Sequence, residues 1–181
     1  MACMWLVWRM WGSVIIATLV TLPMCAIAAR YLAIRRKRAG QPHPARTALL
    51  DVAMVAGTLP WIWMILTPSN GTNAINLIPF RDLAAVLTSP PSTVIVQVGG
   101  NLLVFAALGA LPPMRFPRMA GLAPVAAVAA AGSITVEALQ HLLHLGRVSS
   151  VDDVVLNVAG AALAALVTRR RWADRIPARV V

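Results

Sequence analysis

The chain has 181 residues, of which 59% are hydrophobic and only 12% charged, and its mean hydropathy is +0.76. Soluble domains run at about 45–50% apolar and about 25% charged, so a water-soluble monomer and a disordered chain are both excluded. Sixteen Lys+Arg against six Asp+Glu leave a net charge of +10, but the cations lie in runs between apolar stretches, as in a multi-span membrane protein and not as in a nucleic-acid binder.

A bilayer crossing takes about 20 apolar residues. The first candidate runs from Met10 to Ala29 and is closed by Arg30 and Arg35-Arg36-Lys37-Arg38. The second runs from Ala48 to Thr67; Asp51 near its start is expected to snorkel or to pair with Arg46, without a functional role. The third, Thr93 to Leu111, is stopped by Pro112-Pro113. The fourth, Met119 to Leu145, is longer than a crossing needs and is expected to tilt or kink at Pro124. The fifth, Asp153 to Thr168, is short, rich in alanine suited to close helix contacts, and leads into Arg169-Arg170-Arg171. The expected fold is all-α: a polytopic membrane helix bundle of about five transmembrane helices. Residues 1–47 form the first helix with a basic loop, and 48–181 the remaining membrane domain. Cys3 and Cys25 are too few for a disulfide framework or a zinc site.

Thirteen of the sixteen cations flank one set of span ends, while only Arg9, Arg81 and Arg147 flank the other. The positive-inside rule then puts the N-terminus outside and the C-terminus in the cytoplasm. Ala26-Ile27-Ala28 looks like a signal-peptide cleavage site, but cutting there would place Arg35 to Arg38 on the translocated side. An uncleaved first helix is expected.

An ionisable residue inside a membrane helix costs about 2.5–3.5 kcal/mol on insertion scales, so such residues are the first functional candidates. Ser133, Glu137, Gln140 and His144 are spaced to share one stripe of the fourth span. Asp153, Asn157 and Gly160 do the same on the fifth, and Gln97 and Asn101 on the third. Counted from the expected span ends at 1.5 Å per residue, Glu137 lies about 13 Å deep, Asn101 about 12 Å and Asn157 about 7 Å. All three depths run from the outer face. This one-sided polarity predicts a pocket open to the outer leaflet, whereas a channel or transporter would show polar residues along its whole length.

Three stretches resemble the VanZ-like family of bacterial integral membrane proteins. They are Asn76-Leu77-Ile78-Pro79-Phe80-Arg81; Gly100-Asn101-Leu102-Leu103-Val104-Phe105 through Gly109 to Pro112; and Ser133 with Glu137, Gln140 and Arg147 before Asp152-Asp153-Val154-Val155-Leu156-Asn157 and Gly160. They span residues 75–166. Where the family has a proline after Phe105, in Phe-hydrophobic-Pro-Leu-Gly, this chain has Ala107. The resemblance implies an envelope-related membrane protein, the family being named for a member associated with resistance to teicoplanin, a glycopeptide antibiotic.

Glu137 is the candidate acid or base; as a structural residue it would instead clamp helices through Asn101 or Asn157. Asp152 and Asp153 are candidate ligand contacts that would otherwise cap the fifth helix or clasp Arg147. Arg81 and Arg147 are candidates to fork onto a phosphate of a lipid-linked substrate. Asn101, Gln140 and Asn157 either line the pocket or join helices. His141 and His144 lack a metal-ligand motif, so no metal and no cofactor is expected. Two functions are expected to compete: an enzyme acting on a lipid-linked or amphiphilic envelope molecule at the outer leaflet, and a non-catalytic binding or accessory protein using the same pocket. The expected partners are the lipid bilayer and a lipid-linked precursor or amphiphilic antibiotic, with no nucleic acid. The expected location is the bacterial cytoplasmic membrane.

Overall fold

A computed structural model describes the backbone of residues 2–173 and the side chains of residues 19–172. Arg175 and Arg179, and the side chains of Cys3, Arg9 and the first half of the first predicted span, lie outside the described residues. Seven helices occur in this stretch: α1 (Ala2–Arg38), α2 (Pro44–Ile65), α3 (Arg81–Leu87), an interrupted α4 (Pro91–Arg115), α5 (Leu122–Leu142), α6 (Val151–Thr168) and α7 (Arg170–Ala173). Among the described residues, α2, α4, α5 and α6 are long and apolar enough to cross a membrane. The chain is thus an all-α polytopic membrane protein. The first predicted crossing falls inside α1.

The chain divides into two units, 1–53 and 54–181, with the boundary inside α2. In the first unit, the Arg36 guanidinium pairs with the Asp51 carboxylate. Asp51 thus pairs with a cation, as expected, and Arg36 is a partner the sequence did not point to.

The second unit is built on α4, α5 and α6. Its core joins Val104 and Phe105 of α4, Val125, Ala129 and Val136 of α5, and Ala161 and Ala165 of α6. Small residues set the spacing. A Cβ on Gly160 would strike the Leu102 carbonyl oxygen, and one on Gly109 the Ala161 carbonyl oxygen. α4 and α6 therefore touch backbone to backbone, the contact that van der Waals packing between membrane helices favours.

α4 is not regular. Pro91 starts it, a π-helical turn occupies Ile95–Gly99, and the α-helical pattern breaks at Phe105 despite Ala107 replacing the family's proline. Pro112 and Pro113 offer no N–H to the turn before them, so regular helix ends at Ala110 and a separate turn, Pro112–Arg115, follows. The Met114 N–H goes to the Leu111 carbonyl, and the Ala110 carbonyl accepts from the Thr168 hydroxyl, each at 3.0 Å. The expected stop at the two prolines is thus a break followed by one more turn.

α5 runs unbroken past Pro124, which sits in the first turn, where a helix needs no N–H from it. The kink foreseen there does not form. At the other end α5 stops at Leu142, not Leu145. The Leu145 N–H donates to the Gln140 carbonyl and the His144 N–H to the His141 carbonyl, both at 3.1 Å, with His144 left-handed at φ 52°. This is the paired closure that ends many helices, here with histidine where glycine is usual.

Two features have no periodic signature in the sequence: the short helix α3, and a pair of three-residue parallel strands, β1 (Ala74–Asn76) and β2 (Val148–Ser150), with Ile75 opposite Ser149. Beside them the Ser69 N–H donates to the Leu145 carbonyl at 2.8 Å, tying the α2–α3 loop to the α5–α6 loop.

Candidate functional site

The C-terminal end of α5 and the N-terminal end of α6 meet β2, α3 and the π-helical part of α4 around a chamber of about 620 Å³. Glu137, Asn101, Gln140, Asp152, Asp153 and Asn157 all line it, as do Arg147, Gln97, Asp82 and Ser150. Of the eight sequence candidates, Arg81 alone stands outside this lining.

Most of these polar side chains are held by a specific partner. Ser133 is fully buried, and its Oγ accepts from Asn157 Nδ2 at 2.8 Å, joining α5 to α6. Asn101 Nδ2 donates to Asp153 Oδ1 at 2.5 Å, joining α4 to α6. Gln140 Nε2 donates to the Ile65 carbonyl at 3.1 Å, joining α5 to the end of α2. The expected pocket lining and the expected helix-joining thus coincide in the same amides.

Glu137 uses neither Asn101 nor Asn157. Its Oε2 accepts from the backbone N–H of Ser150 at 3.0 Å, the residue that caps α6. The Ser149 hydroxyl donates to the Glu137 carbonyl at 2.9 Å and lies beside the carboxylate as well. Arg147 and Asp153 are near enough for their charges to act on it. Since α5 ends at Leu142, Glu137 is five residues from its end, about 7.5 Å at 1.5 Å per residue, not 13 Å. Asn101, ten residues into α4, lies about 15 Å from that helix's start, and Asn157 about 9 Å into α6.

The aspartates do not cap their own helix. Ser150 does so, its Oγ accepting from the Asp152 N–H at 3.2 Å. Asp152, 3% exposed, reaches across to α3: its carboxylate accepts from the N–H of Phe80 at 2.5 Å and of Leu83 at 2.9 Å. Phe80 is left-handed, with φ 64°, as it enters that helix. A carboxylate at a helix start meets unpaired N–H groups and the positive dipole end, and here it lies about 70 residues away along the chain.

The arginines separate. Arg147 directs Nε to the Thr67 carbonyl and Nη2 to the Met64 carbonyl, each at 3.4 Å, at the open C-terminal end of α2. Arg81 begins α3 on the exposed surface. The two are not brought together over the chamber, and neither aspartate clasps Arg147 through a hydrogen bond. His144 leaves the polar stripe, because it follows the end of α5 and is exposed. His141 takes an Asn73 Nδ2 donor on its carbonyl at 3.2 Å. Among the described residues no group of three or more His, Cys, Asp or Glu is placed to hold a metal.

A second cavity, of about 380 Å³, lies against the chamber. Ile75, Leu77, Ile134, Leu142, Val151 and Val154 make it an apolar groove, and Glu137 and Ser150 line both cavities. Asp82 and Ser150 were not singled out in the sequence. The run Ser150-Val151-Asp152-Asp153 reads as a helix start and could have found the second; nothing local marks the first.

Residues 52–172 match the family model described as VanZ/LLP1. All three motif stretches, and every residue of the chamber, fall within that range. Compared with curated proteins and with solved structures, the chain gives no match.

Proposed function

The chain belongs to the VanZ/LLP1 family, and from that premise we propose that it binds an amphiphilic or lipid-linked cell-envelope molecule at the outer leaflet of the bacterial cytoplasmic membrane. The polar head enters the chamber and the tail lies in the apolar groove. The observation that carries this reading is Glu137, whose residue forms part of the wall of both cavities. A ligand with a polar and an apolar end fits such a junction, and a purely polar solute leaves the groove unused. The surplus of cations at the other ends of the spans supports an outward-facing chamber. Any effect on resistance to a glycopeptide such as teicoplanin follows, in this reading, from handling such a molecule.

Binding without covalent chemistry is favoured by the serines. Ser133 Oγ accepts from Asn157 and is not paired with a base as a nucleophile must be, and Ser149, beside the Glu137 carboxylate, spends its hydroxyl hydrogen on the Glu137 backbone carbonyl. The second reading, acid–base catalysis by Glu137, draws support from a carboxylate held in a fixed orientation by the Ser150 N–H.

Envelope precursors compared among cells lacking the gene, wild-type cells and Glu137→Gln cells test the proposal. The variant, inserted at the wild-type level, is expected to reproduce the profile of the deletion. A wild-type profile would remove Glu137 from the function. A precursor that accumulates in both altered strains while its product disappears marks the catalytic reading.

A further inference from the structure

The chamber is rich in acceptors and poor in free donors. Of the six Asp and Glu in the chain, Asp82, Glu137, Asp152 and Asp153 line it, against Arg147 as the one Lys or Arg there. That guanidinium already faces the Met64 and Thr67 carbonyls. Asp152 has both oxygens engaged by the α3 amides, and Asp153 gives Oδ1 to Asn101. In a chain of net charge +10, most of the acid is thus gathered into one cavity.

Asn157 supplies an independent observation. It is 3% exposed and its Nδ2 is spent on Ser133, yet its Oδ1 has no partner although it is buried. An acceptor withdrawn from water is normally satisfied. Here the missing partner is a donor, and the residue lines the same chamber as the carboxylates.

We propose that the head group held in this chamber bears an ammonium group, its charge facing Glu137 and Asp153 and one N–H reaching Asn157 Oδ1. This rests on the amphiphile reading above and narrows it. A phosphate would instead meet four carboxylate residues with a guanidinium turned to carbonyls, the reverse of the charge-assisted pairing that phosphates require.

The full chain in nanodiscs is titrated with octylammonium, octyl phosphate and octyl glucoside, three amphiphiles with one tail length, against empty nanodiscs. Octylammonium is expected to bind saturably and at least tenfold more tightly than the other two. Glu137→Gln and Asp153→Asn should each weaken it at least tenfold, and Asn157→Leu severalfold, in protein with wild-type helical content. If a variant does not fold, the ranking on the wild-type chain decides. Octyl phosphate or octyl glucoside binding as well as octylammonium overturns the ammonium assignment and leaves the amphiphile reading standing. Undiminished octylammonium binding in both carboxamide variants overturns the assignment too. No saturable binding of any of the three overturns both.

Discussion

The two ends of the second unit handle charge in opposite ways. Where α4 and α6 finish and α5 starts, Arg118, Arg169, Arg170 and Arg171 are exposed, and Arg115 lies over the Phe116 ring at 4.8 Å. At the other end four acidic residues outnumber Arg81 and Arg147, and three of the four are built in. Asp152 is fastened to two amides of α3, Asp153 to Asn101 and Glu137 to the cap of α6. Solvated arginines act as a group, through their number on one side of a membrane, and any one is replaceable. Buried carboxylates act one at a time, because each is costly to desolvate and depends on its own partner. The basic end therefore carries information about orientation, and the acidic end information about structure and ligand.

The largest expected effect is all-or-none and tests which end faces out. In a Cys3→Ser, Cys25→Ser background, Asn70→Cys marks the acidic end and Arg118→Cys the basic end. A membrane-impermeant maleimide added to intact cells is expected to label the first and to reach the second only after lysis. The opposite pattern would turn the chamber toward the cytoplasm, and the outer-leaflet reading would fall with it.

Stability should separate the two ends next. Asp152→Ala leaves the Phe80 and Leu83 N–H groups without their acceptor, and hydrogen bonds to a charged group are worth about 1.5–3 kcal/mol. A loss of about 2 kcal/mol or more is expected on that basis, with faster amide exchange at Leu83 and the α3 residues that follow. Arg118→Ala, an exposed change at the basic end, should stay within about 0.5 kcal/mol. Equal losses from the two changes would erase the distinction between built-in and solvated charge.

This contrast also governs what the sequence can disclose. Membrane spans follow from composition and length, so α2, α4, α5 and α6 were legible to within a few residues. Glu137, Gln140 and Ser133 were legible because a helix puts residues three or four apart on one face. Who holds whom was not. Asp152 stands at the start of its own helix and reads as a cap, yet it caps α3, because the fold brings Phe80 and Leu83 to it from 72 and 69 residues away. Arg147 reads as an anion-binding loop residue, yet it faces carbonyls that α2 leaves open. Arg81, from the same loop motif as Phe80, ends on the surface, since it is the backbone of this stretch that the chamber's aspartate uses. Strands of three residues carry no detectable alternation, so β1 and β2 had no local signature either. Pairings of this kind depend on tertiary contacts, which no window of sequence contains.

The smallest effect concerns the residue that cuts the polar stripe of α5 short. His144 adopts φ 52° to close the helix, a conformation that costs a residue with a Cβ about 1–2 kcal/mol and costs glycine little. His144→Gly relieves that strain but adds freedom to the unfolded chain, so a net gain of about 0.5–1 kcal/mol is expected. A modest rise in the unfolding midpoint would register it. Because His144 is exposed and does not line the chamber, octylammonium affinity should stay unchanged. A loss of stability would mean that the histidine ring, 3.1 Å from the Leu142 carbonyl and stacked on His141, contributes more than its backbone costs. The acidic end would then owe part of its rigidity to a residue outside the chamber, and the division between partnered interior and dispensable surface would have to be redrawn at that helix terminus.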